Sequence, residues 1–289
     1  MRVVSHLLIT TVTILAACTE GPGEPATGPT TDPTISTVNR LTVNGVTVNR
    51  VNANQLPTTR LATSRRGNGT LTVNMATAGK LLSTEDGREV FSFIVSCALP
   101  DTITLEADVD GTTFQFTGEI GLAPEWLTSP LDRTGQGWVS ACIFARVNAH
   151  EVALPISVRG GSLALATDPD ERAEWSVEEG AFYGNLFTSL DQPIQWIACR
   201  GAGQVTQPDA SGLADRQCAK PDPANPGFTM CGFTFAGDCG AFAADQVCER
   251  FSERGAFYRR CHQAPLDSAG EKRGDNPAFA QVITAYVTP

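Results

Sequence analysis

The chain has 289 residues, 42% hydrophobic and 18% charged, with a formal net charge of −10. That is enough apolar material for a core of ordinary size, and the acidic balance argues against nucleic acid, whose phosphates require a basic footprint. Nine cysteines beside only three histidines point to disulfides in an exported chain rather than to metal sites.

The first 17 residues read as a secretory signal. Arg2 supplies the positive charge, Val3 to Leu15 is mostly apolar, and Leu15-Ala16-Ala17-Cys18 closes the run with the small residues a peptidase requires. The apolar run is far shorter than the roughly 20 residues of a membrane span. This ending resembles the lipobox of bacterial lipoproteins, which implies that the Cys18 thiol takes a diacylglyceryl group and becomes the mature N-terminus. Several acyl chains give the stable anchoring that one cannot. Thr19 stands where an aspartate would, by the same resemblance, favour inner-membrane retention. The expected place is therefore the outer membrane or cell surface, with the membrane as a partner through the lipid.

Residues 18–36 are rich in Thr, Pro and Gly and too poor in apolar side chains to offset the entropy of ordering, so they read as a tether. Over residues 37–66 a five-residue period places aliphatic side chains at Leu41, Val46, Val51, Leu56 and Leu61, with asparagines at 39, 44, 49 and 54. The pattern looks like a degenerate pentapeptide repeat, readable as little more than one solenoid turn or as an extended stalk. Arg40, Arg50, Arg60, Arg65 and Arg66 make it basic, suited either to lying on an anionic surface or to staying solvated. Residues 67–289 carry 15 Lys and Arg against 28 Asp and Glu. The head is expected to begin at residue 67, with an α+β part over 67–198 and a Cys-rich part over 199–289.

Within the head, Ser83 or Thr84 before Glu85 and Asp86 is an N-cap signal. Val90, Phe91, Ile94, Val95 and Ala98 follow at helical spacing until Pro100, which puts Cys97 at a helix end. Ile103 to Gly118 reads as a hairpin about Asp110-Gly111, with Leu105 opposite Phe116 and Ala107 opposite Phe114. Glu106, Asp108 and Asp110 mimic the opening of a calcium loop, but the twelfth position is Thr117 rather than a bidentate Glu. A second helix is expected over Gln136–Asn148. Val152–Arg159 reads as a strand whose Pro155 places it at an edge or bulge, and Asp168–Glu171 as an acidic turn. Glu178–Phe187 and Ile194–Arg200 read as further strands. Ala244, Val247, Cys248 and Phe251 share a helix face, and Phe279–Val287 is a closing strand. The fold class is α+β, with a mixed or antiparallel sheet and at least three helices.

Cys97, Cys142, Cys199, Cys218, Cys231, Cys239, Cys248 and Cys261 make an even set once Cys18 is assigned to the lipid, and read as up to four disulfides. Cys97 and Cys142 lie on the two predicted amphipathic helices and are expected to pair, while the six clustered cysteines pair among themselves. A zinc site is disfavoured by the lack of any C-x-x-C and by only two histidines, His150 and His262, beyond the signal. Glycine loops of the phosphate-binding kind are absent and Gly201-Ala-Gly203 lacks the strand-to-helix context of a dinucleotide site, so no cofactor is expected.

The segments Phe93-Ile-Val-Ser-Cys97-Ala-Leu-Pro, Gly121-Leu-Ala-Pro-Glu-Trp126, Gln136-Gly-Trp-Val-Ser-Ala-Cys142-Ile-Phe-Ala-Arg146 and Glu179-Gly-Ala-Phe-Tyr-Gly-Asn-Leu-Phe187 resemble a family of uncharacterised lipoproteins common in myxobacterial proteomes. The likeness extends through Ala198-Cys-Arg-Gly201, the later cysteines and the Asn-rich repeat. It implies a compartment and a shared fold and transfers no catalytic residue. The expected function is a cell-envelope binding or structural module, with an envelope protein or polysaccharide as partner.

The alternative is an envelope hydrolase. Gln136 precedes Cys142 by six residues, the spacing of a papain-like oxyanion-hole glutamine and its nucleophile, but the downstream histidines are only His150 and His262, the latter directly after Cys261, and the cysteine count leaves no free thiol. Neither His150 nor His262 accompanies a G-x-S-x-G elbow.

Overall fold

In the computed structural model the described residues are 34–37, 58–65, 70–148, 154–188, 194–240, 246–251, 257–264 and 276–289. Cys18, the signal, the tether up to residue 33, most of the repeat and His150 lie outside them. All belong to one unit, Thr31–Pro289.

A four-stranded sheet comes first, built from β2 (Ala62–Arg65), β3 (Leu71–Val73), β4 (Thr104–Val109) and β5 (Thr112–Thr117) in that order; β1 (Thr34–Thr37) belongs to a second sheet. β3 and β4 are parallel, and the chain between them forms α1 (Met75–Leu82) and α2 (Glu85–Ala98). The Asn74 side chain caps α1 and Thr84 caps α2 by accepting from Gly87 N at 3.0 Å. Glu85 and Asp86 add negative charge where the helix dipole favours it. A Cβ on Gly87 would lie 1.8 Å from the Leu81 carbonyl, so only glycine lets the two helices meet at this corner.

The end of α2 is satisfied by the loop after the hairpin. Glu119 and Ile120 N–H groups donate to Ser96 O, Leu122 N–H to Cys97 O and Ala123 N–H to Ala98 O, so carbonyls that a helix terminus leaves orphaned are paired without water. The hairpin has the expected register, Leu105 against Phe116 and Ala107 against Phe114. Asp110 and Gly111 take φ of 50° and 82°, the left-handed pair a two-residue turn needs. Phe116 meets Phe91 of α2 edge-on, with ring centroids 4.8 Å apart.

The next helix, α3 (Arg133–Ala145), starts three residues before the expected Gln136 because Asp132 caps it, accepting from Gly135 N at 2.7 Å. It packs on the second sheet, whose strands are β1, β6 (Leu154–Gly160), β13 (Val282–Val287), β7 (Val177–Asn185), β8 (Gln195–Arg200) and β9 (Thr234–Asp238), in that spatial order. The pairs are antiparallel except β8 with β9. Pro155 stands where β6 pairs with β1 alone, opposite Ser36, since β13 reaches only as far as Ser157. The expected edge strand is thus covered by four residues of chain, and the proline sits beyond the central ladder.

Side-chain alternation along β7 and β8 sends Phe182 and Ala198 toward the main core, and Ala181, Tyr183, Ile197 and Cys199 toward a second cluster. That second face is covered by a small sheet of β10 (Cys248–Phe251), β11 (Phe257–His262) and β12 (Ala278–Phe279). The helix expected around Ala244–Phe251 is corrected over its described part, where residues 248–251 are a strand. The apolar spacing suits a helix, but the Val247 N–H bond to Asp238 O and the pairing of Cys248 with Cys261 hold the backbone extended.

The expected head boundary at residue 67 is also corrected. Leu61 is fully buried and Ala62 nearly so, both in the main core. Leu61 N–H donates to Trp126 O and the Trp126 indole N–H to Thr59 O, both at 2.8 Å, while Leu131 N–H donates to Thr58 O. The end of the repeat segment is therefore packed and paired as part of the head. Leu61→Ala should cost about 2–5 kcal/mol in urea unfolding; a change under about 0.5 kcal/mol would return this segment to a stalk.

Candidate functional site

All eight head cysteines are paired: Cys97 with Cys142, Cys199 with Cys239, Cys218 with Cys231 and Cys248 with Cys261. The first joins α2 to α3 with Cα atoms 6.0 Å apart, and its 45-residue separation corresponds to about 4 kcal/mol of loop-closure entropy. Cys142 is fully buried in that bridge and offers no thiolate. Gln136 donates to Leu131 O and accepts from Asn185 rather than facing a nucleophile. Cys199 Sγ lies 3.5 Å from Cys248 Sγ because two bridges stack side by side. Three sulfurs group there within 4.8 Å, but as disulfides they lack the charge that zinc requires.

The acidic residues singled out in the sequence have structural tasks. Asp108 accepts from Thr113 and Glu106 from Gln115 across the hairpin. Asp168 caps α4 (Pro169–Glu174) by accepting from Glu171 N, and the Glu171 carboxylate accepts from Ser157 Oγ of β6 at 2.6 Å. His262 is buried; its carbonyl accepts from the Tyr183 hydroxyl, and its N–H donates to Val247 O.

Charge that the sequence pattern did not single out is buried on β7. Glu179 is fully inaccessible and binds Arg216 Nε at 2.5 Å and the Cys218 N–H, and the Arg216 guanidinium also donates to Ala145 O at the end of α3. Glu178, on the other face, accepts from the Tyr258 and Tyr286 hydroxyls, both at 2.9 Å, and pairs with Arg250 at 3.0 Å. Arg146 at the end of α3 is likewise enclosed. It donates to Ser96 Oγ and Glu119 and stacks on Phe93, and burial, opposed by Glu119, brings its pKa down to about 10.

One cleft opens beside these networks. About 550 Å3 in volume, it lies between the Gly160–Thr167 turn and the β10–β11 pair. Leu165 is on its floor side, Phe251 and Phe257 form an aromatic wall with centroids 5.1 Å apart, and Leu163 stands at the lip, 82% exposed. Arg172 and Arg259 line it, and among the described residues no carboxylate does. Arg172 is placed by α4, which the Glu171–Ser157 bond ties to β6, and is oriented by donating from Nη1 to Thr167 O at 2.5 Å. Arg259 sits over the Phe251 ring at 5.5 Å. A second cleft of about 460 Å3 holds Arg200, Gln204 and Lys220, but Arg200 is already paired with Asp238 at 2.6 Å.

No motif in the sequence marks the first cleft, because its walls come from segments some 90 residues apart. The local signals are the Gly160-Gly161-Ser162 turn and the two Phe residues, Phe251 and Phe257, near Arg259 in the chain. Comparison with family models, curated proteins and solved structures finds no match to this chain.

The chain's three tyrosines, Tyr183, Tyr258 and Tyr286, are all buried. Burial raises each phenol pKa far above its ordinary value, reinforced at Tyr258 and Tyr286 by the Glu178 charge. The folded protein keeps these protons while the unfolded chain loses them near pH 10, so their stabilisation is intact below pH 10. Above it, stability falls by about 1.4 kcal/mol per pH unit for each tyrosine. A spectrophotometric titration should show tyrosinate absorbance appearing only together with unfolding. A tyrosine ionising near pH 10 in the still-folded protein would contradict the burial of these phenols.

Proposed function

We propose that this chain is an exported lipoprotein, held at the outer membrane or cell surface by acylation of Cys18, whose disulfide-closed head is a binding or structural module of the cell envelope. The observation that carries the reading is the cysteine balance. Of nine cysteines, eight pair with one another in the head, and the one left over is the last residue of the lipobox-like Leu15-Ala16-Ala17-Cys18. Four bridges suit an oxidising compartment outside the cytosol. Among the described residues no helix is long and apolar enough to cross a membrane, and an acylated cysteine supplies attachment without one.

The acidic head favours envelope protein or polysaccharide partners over nucleic acid. Thiol hydrolase chemistry finds little support, because Cys142 is held in a bridge. The resemblance to uncharacterised myxobacterial lipoproteins agrees with this reading of compartment and adds no activity.

Metabolic labelling with a clickable fatty acid tests the anchor: the wild-type chain should take the label into the membrane fraction and Cys18→Ala should lose it completely. Label retained by Cys18→Ala would overturn the proposal.

A further inference from the structure

We infer that the cleft between the Gly160–Thr167 turn and the β10–β11 pair binds an amphipathic monoanion, specifically a free acyl carboxylate of about ten carbons. The inference rests on reading the head as a binding module and not on the lipid anchor.

Two features select the ligand's halves. The volume of about 550 Å3 lies in the range of small-molecule sites, roughly 300–1,000 Å3, and its lining includes the large apolar side chains of Leu163, Leu165, Phe251 and Phe257. A leucine as exposed as Leu163 leaves apolar surface in water that a bound chain would cover. Charge then decides the head group. Residues 67–289 carry 13 more acidic than basic side chains, yet among its described residues this cleft collects Arg172 and Arg259 and no acid. Arg172 is held by its bonds to Thr167, which leave part of a five-donor fork to meet a carboxylate. Arg259 reaches Glu249 only at 3.5 Å with both side chains about half exposed, a contact that an incoming carboxylate displaces at little cost. Its position over Phe251 puts a cation directly beside the apolar wall, which neither a simple anion nor a neutral hydrocarbon would use in full.

The test uses residues 18–289 with Cys18→Ser, secreted behind an ordinary cleavable leader so that no detergent competes. Isothermal titration with decanoate should show one site. Acetate, which has the charge without the chain, and decyltrimethylammonium, which has the chain with the opposite charge, should each bind at least tenfold more weakly. Leu163→Asp and Arg259→Gln alter exposed side chains and should keep the wild-type melting temperature while weakening decanoate at least tenfold; Arg172→Gln should do the same. Equal binding of the ammonium compound would remove the role of the arginines, and equal binding of acetate would reduce the cleft to a simple anion site. Unchanged decanoate affinity in folded Leu163→Asp and Arg259→Gln would place the ligand elsewhere, and no binding of decanoate at millimolar concentration would overturn the inference. Binding to phosphatidylglycerol vesicles in preference to free decanoate would overturn the assignment to a free acid. Because acylation plays no part in this assay, its failure and that of the anchoring proposal are separate results.

Discussion

Two adjacent carboxylates on β7 constrain the rest of the head. A bulge in β7, where Ala285 pairs with Gly180 and Tyr286 with Glu178, interrupts the alternation and turns Glu179 to the helix side while Glu178 faces the small sheet, in a sheet covered on both faces. A buried carboxylate is costly unless it is paired and hydrogen-bonded, and each has its own solution. Glu179 meets Arg216 and the Cys218 N–H on the helix side, and through Arg216 it ties the end of α3 to the Cys218–Cys231 segment. Glu178 gathers Tyr258 of the small sheet, Tyr286 of β13 and Arg250 of β10. A one-residue slip of β7 would exchange the faces and present each carboxylate to the wrong partners, so the pair fixes the register on which both layers are assembled.

The same arrangement connects the fold to the cleft. Tyr286, held by Glu178, lies under the Arg159 guanidinium at 3.7 Å. Arg159 donates to Ser157 and to the Trp175 carbonyl, and Ser157 in turn holds Glu171 beside Arg172. The turn that follows Arg159 begins at Gly160, where a Cβ would lie 2.8 Å from Leu165 and 2.9 Å from the Val282 carbonyl. The wall bearing Arg172 is thus braced by buried polar bonds, and the facing wall by the pairing of β10 with β11 and the Cys248–Cys261 bridge. A site on so braced a frame needs little reorganisation on binding, which favours affinity at small buried area.

What was legible in the sequence was what is decided locally. Asp110-Gly111 sets a turn and the turn sets the register, so Leu105 and Phe116 could be paired by counting. Thr84 and Pro100 bound one helix, whereas the apolar spacing of the next helix begins only at Gln136, three residues after Arg133, where the Asp132 cap starts it. Cys97 and Cys142 could be matched because no other cysteine lies near them in the chain. Long-range pairing was illegible: Cys248–Phe251 has helical spacing and is a strand, and Leu61 has repeat spacing and is core. Glu178 and Glu179 carry no mark of burial in the sequence, since only the arrival of Arg250 and Arg216 from elsewhere makes them tolerable inside. The cleft was invisible for the same reason, its arginines and phenylalanines being neighbours only after folding.

Equilibrium unfolding of Glu179→Gln tests the central constraint most directly. The substitution keeps the side chain's size and leaves the Arg216 charge buried without its partner, so the account predicts a loss of about 3–5 kcal/mol. A loss below about 1 kcal/mol would show that the Glu179–Arg216 pair is incidental to the assembly of the head.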